Sequence, residues 1–174
     1  LASYNFRTTG CNQNCFVIES IIDESAHKSN INPLDYRLTL LRNDERHYKL
    51  LKNIAKNSYW DVDVKKGQGK GIAINEFMIK KTKEGRNSFG DPTSIVAIIS
   101  EIEISNKGKL KINKVHCKID CGICVNPDQV IAQAEGGIMM GISMLLNEEI
   151  TFKNGMVVQS NYDDYKICLL YTSD

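Results

Sequence analysis

An excess of charge of either sign is the first thing missing. Lys and Arg number 22 and Asp and Glu 21, which leaves a formal net charge of +1. That balance creates no field to gather nucleic acid or anionic lipid, so no nucleic-acid partner is expected. Long apolar runs are missing as well. The best candidate, GGIMMGISMLL, is short and broken by glycine, and no transmembrane segment is expected from it. Three histidines offer no metal pair, and neither G-x-S-x-G nor H-E-x-x-H occurs. The chain, at 174 residues, is too large and its six cysteines too sparse to need disulfide staples. Thiols are therefore expected in place of disulfides.

What is present reads as helices followed by a mixed portion. Residues 14–28 place Val17, Ile18, Ile21, Ile22 and Ser25 on one side with acids opposite, so a helix with that apolar stripe inward is expected. Asn32 caps a second helix that Pro33 opens, with Leu34, Leu38 and Leu41 in a stripe. Asp44 caps a third, with Leu50, Leu51, Ile54 and Ala55 inward. Trp60 and the basic KKGQGKG mark a boundary, dividing a helical segment (1–60) from an α/β portion (61–167).

In the second portion GIAINEFMI reads as a strand, followed by a polar loop from Lys80 to Pro92. SIVAIISEIEI and LKINKVHCKID read as a hairpin joined through Asn-Lys-Gly. Leu110 and Ile112 share one parity and Val115, Cys117 and Ile119 the other, which places a bulge near Asn113. Asn126 and Pro127 begin a fourth helix, and Asn154-Gly155 is a hairpin turn. The fold class is α/β of the α+β type: a helical N-terminal segment, then mixed strand and helix.

Cys117, Cys121 and Cys124, in HCKIDCGIC, have the spacing C-x3-C-x2-C. Three thiolates on one loop can hold a [4Fe–4S] cluster with one iron open, as in radical S-adenosylmethionine enzymes. Against this, Cys117 falls inside an alternating strand pattern and Cys121 just past its end. Packed thiols are the simpler reading. A structural zinc lacks a fourth ligand at suitable spacing.

Gly136, Gly137 and Gly141 each weaken the fourth helix by roughly 1 kcal/mol relative to alanine. Close approach of another backbone or of a ligand is the usual return for that cost. Gln133 stands one turn earlier, on the side that the glycines leave open. A tight helix–sheet contact with a solvated Gln133 and a ligand surface both satisfy the pattern. Gly67-x-Gly69-x-Gly71 precedes a strand where a phosphate cradle would precede a helix, so it is set aside.

The order of strand, D-C-G-x-x-x-N-P, Q-x-E-G-G, N-G hairpin and S-N-Y-x-D-Y exit resembles the large subunit of molybdenum hydroxylases, the xanthine dehydrogenase family. The motifs resemble in particular those of the isoquinoline 1-oxidoreductase beta subunits within that family. Phe6-Arg7 and the helices after it resemble the same family, and the resemblance spans residues 6–167, with a weaker stretch over 77–93. It implies a bacterial oxidoreductase with molybdenum on molybdopterin cytosine dinucleotide. It also implies [2Fe–2S] clusters on a partner iron–sulfur small subunit, and an N-heterocyclic aromatic or aldehyde substrate hydroxylated with water as oxygen source.

Carried over residue by residue, the resemblance places Gln133 and Arg7 on cofactor contacts and Gly10 on a backbone approach beside the cofactor, with Gly136 and Gly137 in the same motif as Gln133. Glu135 orients the helix. The family's glutamate base lies outside these residues, so no catalytic residue is assigned and the isolated chain is expected to be inactive. Where xanthine-type enzymes read Phe-Arg-Gly-Phe-Gly-Gly, this chain has Phe6-Arg7-Thr8-Thr9-Gly10-Cys11, which argues against a purine substrate. Bacterial periplasm and cytoplasm are both open. The chain reads as a fragment, and CLLYTSD (168–174) matches a translated library-preparation adapter and is expected to be an artefact. A small α/β interaction module that keeps only the family's fold is the remaining alternative.

Overall fold

The computed structural model describes residues 11–78, 93–161 and 163–167. Three helices come first: α1 (Cys11–Lys28), α2 (Pro33–Leu40) and α3 (Glu45–Asn57). Strands β1 (Gln68–Met78), β2 (Thr93–Ile104) and β3 (Leu110–Asp120) follow. Helix α4 (Pro127–Leu146) and a small hairpin, β4 (Phe152–Lys153) and β5 (Met156–Val157), complete the order. The chain forms two compact units, Leu1–Ile123 and Cys124–Asp174. Helix α3 packs on β2 and β3.

The three-stranded sheet has the order β1-β2-β3 and is antiparallel throughout. Its alternation builds the core. Ile95, Ala97 and Ile99 of β2 are buried beside Ile72 of β1, and Leu50, Leu51, Ile54 and Ala55 of α3 close over them. Leu34 joins this cluster, with Leu38, Leu41, Trp60 and Ile74 packed at its margin. Helices gathered on an antiparallel sheet are the α+β arrangement that the sequence pattern implies.

Local signals act where they are expected. The Asn32 side chain accepts from Leu34 N at 2.9 Å and from Trp60 Nε1 at 3.0 Å, so one oxygen both caps α2 and holds the chain leaving α3. Asp44 caps α3 through His47 N, and Asn126 caps α4 through Gln129 N. In the β2–β3 hairpin Glu101 faces Lys114 while Ile102 faces Ile112, which makes Asn113 the bulged residue. Asn154 and Gly155 both take positive φ, 52° and 76°, as a tight hairpin turn requires.

Helix α1 departs from expectation. Glu19 turns inward and much of the apolar stripe outward: Glu19 and Ala26 are buried, while Val17, Ile18 and Ile21 are exposed. The reason lies on α2, where the Arg37 side chain is 1% exposed. Arg37 donates to Glu19 Oε2 through Nε (2.9 Å) and Nη2 (2.8 Å), and to Asp23 Oδ1 through Nη1 (2.6 Å). Glu19 Oε2 also accepts from Ile74 N at 3.3 Å, on edge strand β1. Leaving a buried guanidinium without its partner costs about 3–5 kcal/mol. The rotation of α1 that keeps Glu19 on Arg37 and on Ile74 N is the one that leaves the apolar stripe outside.

Candidate functional site

Of the residues singled out by sequence, Gln133, Gly136 and Gly137 fall together on α4. Spacings of three and four residues bring them to one face of the helix. All three are exposed. A Cβ built at Gly136, Gly137 or Gly141 would meet nothing within 4 Å, so these glycines border open space. No close backbone approach within this structure accounts for them. Arg7, Gly10 and the Lys80–Pro92 loop lie outside the described residues, as do residues 168–174.

Helix α4 is itself unusual. Its only charged residues are Asp128 and Glu135, and Ser143 is its one buried residue among those described. A helix this rich in apolar residues is commonly one that a protein core or a membrane surrounds. Its 20 residues and apolar composition make it the one described helix able to cross a bilayer by length and composition. The sequence pattern suggests no such length, because glycine interrupts the run; the helix continues through all three glycines. Core helices have the same composition.

The motif residues after α4 hold its exit. The Asp164 carboxylate accepts from the backbone N–H of Ser160 at 2.9 Å and of Asn161 at 2.9 Å. The Tyr165 hydroxyl donates to Glu148 Oε2 at 2.9 Å, and burial together with that carboxylate pushes the phenol above its usual range.

The described cysteines are placed as follows. Cys117 lies within β3 opposite Ile98, and Cys121 follows the strand. Burial pushes the Cys117 thiol up, the opposite of what a thiolate ligand requires. None of the five described cysteines is in a disulfide. Among the described residues no group of three His, Cys, Asp or Glu side chains is placed to hold a metal ion. Cys117 has the surroundings of a packing residue.

Two arrangements escape sequence reasoning because their partners are far apart in the chain. Arg46 grips Asp120 through Nε–Oδ2 (3.0 Å) and Nη2–Oδ1 (2.9 Å), and Gly122 N donates to the same Oδ1 at 3.0 Å. The Arg46 guanidinium first, and then the Gly122 N–H, hold the Asp120 carboxyl below its usual range. Asp120 opens the D-C-G motif, so this clamp fixes the strand exit.

The second arrangement is a pocket of about 290 Å³ lined by Glu19, Arg37, Asp44, His47 and Glu76 with Ile22, Leu40, Leu41, Ile74 and Asn75. His47 stands with Nδ1 2.8 Å from Asp44 Oδ2 and Nε2 3.4 Å from Glu76 Oε2. The Nδ1 contact has ion-pair distance but not hydrogen-bond direction, since that buried nitrogen has no hydrogen-bond partner. The His47 side chain and its backbone N–H hold the Asp44 carboxyl below its usual range. The pocket's side chains largely satisfy one another and set the angles between α1, α2, α3 and β1.

Comparison with known proteins adds the identity of the pattern. The family model described as the molybdopterin cofactor-binding domain matches residues 16–171. The isoquinoline 1-oxidoreductase beta chain from Brevundimonas diminuta is 30% identical over 163 residues, covering 91% of this chain and 19% of that protein. A nicotinate dehydrogenase subunit from Pseudomonas putida is 27% identical over 164 residues, 88% of this chain and 13% of that protein. A membrane-bound aldehyde dehydrogenase from Gluconacetobacter polyoxogenes is 26% identical, covering 85% of this chain and 20% of that protein. The chain thus spans a fifth or less of the length of these curated relatives.

Proposed function

The chain belongs to the family of molybdopterin cofactor-binding domains, and from that premise we propose that it is part of the catalytic large subunit of a molybdenum hydroxylase. The observation that carries the proposal is the open glycine face of α4 beside the exposed Gln133. A pterin presents hydrogen-bond donors and acceptors along a flat edge. The Gln133 amide offers both kinds of group. Gly136 and Gly137 leave the helix surface without a Cβ, so a planar group can lie against backbone there. The donor set and the open space both fit.

In this reading Gln133 orients the cofactor and Gly136 and Gly137 give it room; Arg7 and Gly10 are proposed as cofactor contacts on the family resemblance alone. The cofactor supplies the two-electron redox chemistry. The substrate is an electron-poor carbon on an N-heterocyclic aromatic or an aldehyde, in keeping with the names of the relatives. Water provides the oxygen, two protons are released and two electrons leave through [2Fe–2S] clusters on a small subunit. The cytosine dinucleotide form of molybdopterin is proposed on the same family grounds. The base that deprotonates the attacking oxygen is not among these residues, so the isolated chain is proposed to be inactive.

The test is cofactor content. Full-length subunit carrying Gln133→Ala or the pair Gly136→Leu and Gly137→Leu would be purified, and its molybdenum and pterin measured against wild type. Reduced loading with an unchanged far-ultraviolet circular dichroism spectrum supports the reading. Full loading in both variants would remove α4 from the cofactor site.

A further inference from the structure

The outward face of α1 is uncharged over its first three turns. No Asp, Glu, Lys or Arg occurs between Cys11 and Ile18, and the first acid, Glu19, is turned inward onto Arg37. Opposite that buried side stand Val17 and Ile21, flanked by Phe16 and Ile18; Phe16 is 71%, Ile18 56% and Ile21 58% exposed. The first outward charge is Glu24, beside Lys28 at 3.8 Å.

This stripe cannot turn inward at small cost. Glu19 and Asp23 hold Arg37 from one side of α1, and Glu19 also serves the free edge of β1. Rotating the helix to bury Val17 and Ile21 would break all three contacts and strand a buried cation. The exposed stripe is therefore a fixed surface that needs a cover.

We propose that the α1 stripe of Phe16, Val17, Ile18 and Ile21 is an interior contact, covered by an apolar, uncharged surface on the part of the large subunit that this chain does not span. The inference rests on the family reading, through the length of the relatives. The chain covers 19% of the isoquinoline oxidoreductase protein, so most of such a polypeptide is available as the occupant. The absence of charge favours a permanent contact made in folding. Transient partners are met through polar, charge-complementary surfaces, whereas permanent interfaces resemble a cut core.

Hydroxyl-radical footprinting with mass spectrometry tests this on the full-length subunit. Oxidation of Phe16 and Ile21 would be compared between the native subunit, the same subunit in urea, the assembled enzyme and the 174-residue chain alone. The expected result is protection of Phe16 by about tenfold in the native subunit relative to urea, before any small subunit is added, as for a dehydrated contact core. Unprotected Phe16 in the native subunit would overturn the proposal. So would protection that arises only on adding the small subunit, or protection in the isolated chain that rises with its own concentration. Molybdenum content of the same sample reads the family assignment separately. Metal-loaded subunit with reactive Phe16 refutes the contact alone, and metal-free subunit with protected Phe16 refutes the assignment alone.

Discussion

Arg46, in the first turn of α3, holds both carboxylate oxygens of Asp120, the last residue of β3 and 74 positions later in the chain. The pair locks the helix to the strand end at the point where the D-C-G motif leaves the sheet. Both side chains are about one-third exposed, 34% and 33%. Solvent screens them, so the pair is worth about 1 kcal/mol. Asp120→Asn should lower the unfolding free energy by about that amount, read as a lower urea midpoint at an unchanged m-value. An unchanged midpoint would make the clamp a conformational guide with no net stability.

Acid should unfold the first unit through its carboxylates. Asp44 and Asp120 both titrate below their ordinary range in the folded state. A depressed carboxyl contributes stability that is full above the unfolded value, about 3.9 for Asp, and lost as pH falls through the folded one. Stability should therefore be flat on this account at neutral pH and fall below about pH 4. Asp44→Asn keeps a competent cap while removing the charge. With Asp120→Asn, it should flatten the acid limb in a pH series of thermal melts.

Arg37→Leu should be the most damaging single change in the first unit. It leaves Glu19 buried without its cation and should cost about 3–5 kcal/mol. Glu19→Gln keeps the shape and leaves Asp23 on Arg37, so about 1–3 kcal/mol is expected. Chemical unfolding of the two variants side by side checks the order; equal losses would mean that shape and not charge holds α1.

Asn32→Ala should disturb a residue 28 positions away. The cap of α2 is lost, at about 1 kcal/mol, and Trp60 Nε1 loses its acceptor. Trp60 is the single tryptophan of the chain, so its fluorescence reports the change directly. A red shift of emission with a lower melting temperature is expected.

Cys117→Val should be tolerated. The site is a half-buried strand position opposite Ile98, where a β-branched residue packs well. A change in stability within about 1 kcal/mol is expected. Unchanged iron content of the full-length protein would accompany it, and loss of iron would return the cysteines to a ligand role.

The parts legible in the sequence were those written in neighbouring residues. Asn32-Pro33, Asp44 and Asn126-Pro127 announce helix starts because capping is a contact over two or three positions. The parity break between Ile112 and Val115 announces the bulge, since strand side chains alternate strictly. Gln133, Gly136 and Gly137 announce a shared helix face by spacing alone. The rotation of α1 was not legible. Its hydrophobic stripe is real, but Arg37, which decides the matter, belongs to another helix, and no periodicity within α1 reveals it. The same holds for Arg46 and Asp120, and for Lys70. The basic segment reads as a boundary, yet the Lys70 ammonium donates to the carbonyls of Trp60 and Val62 and ties the segment after α3 to β1.

Asn113 is the one residue between Leu110 and Asp120 that has no counterpart across the hairpin. Every other residue in that span keeps its partner whether Asn113 is there or not. Its side chain donates to Glu103, on the same hairpin. Evolution can therefore delete this position without sliding Asp120 away from Arg46 or turning Cys117 to the opposite side of the sheet. Single-residue length differences among relatives should gather here, and the motif that follows should stay in phase across them.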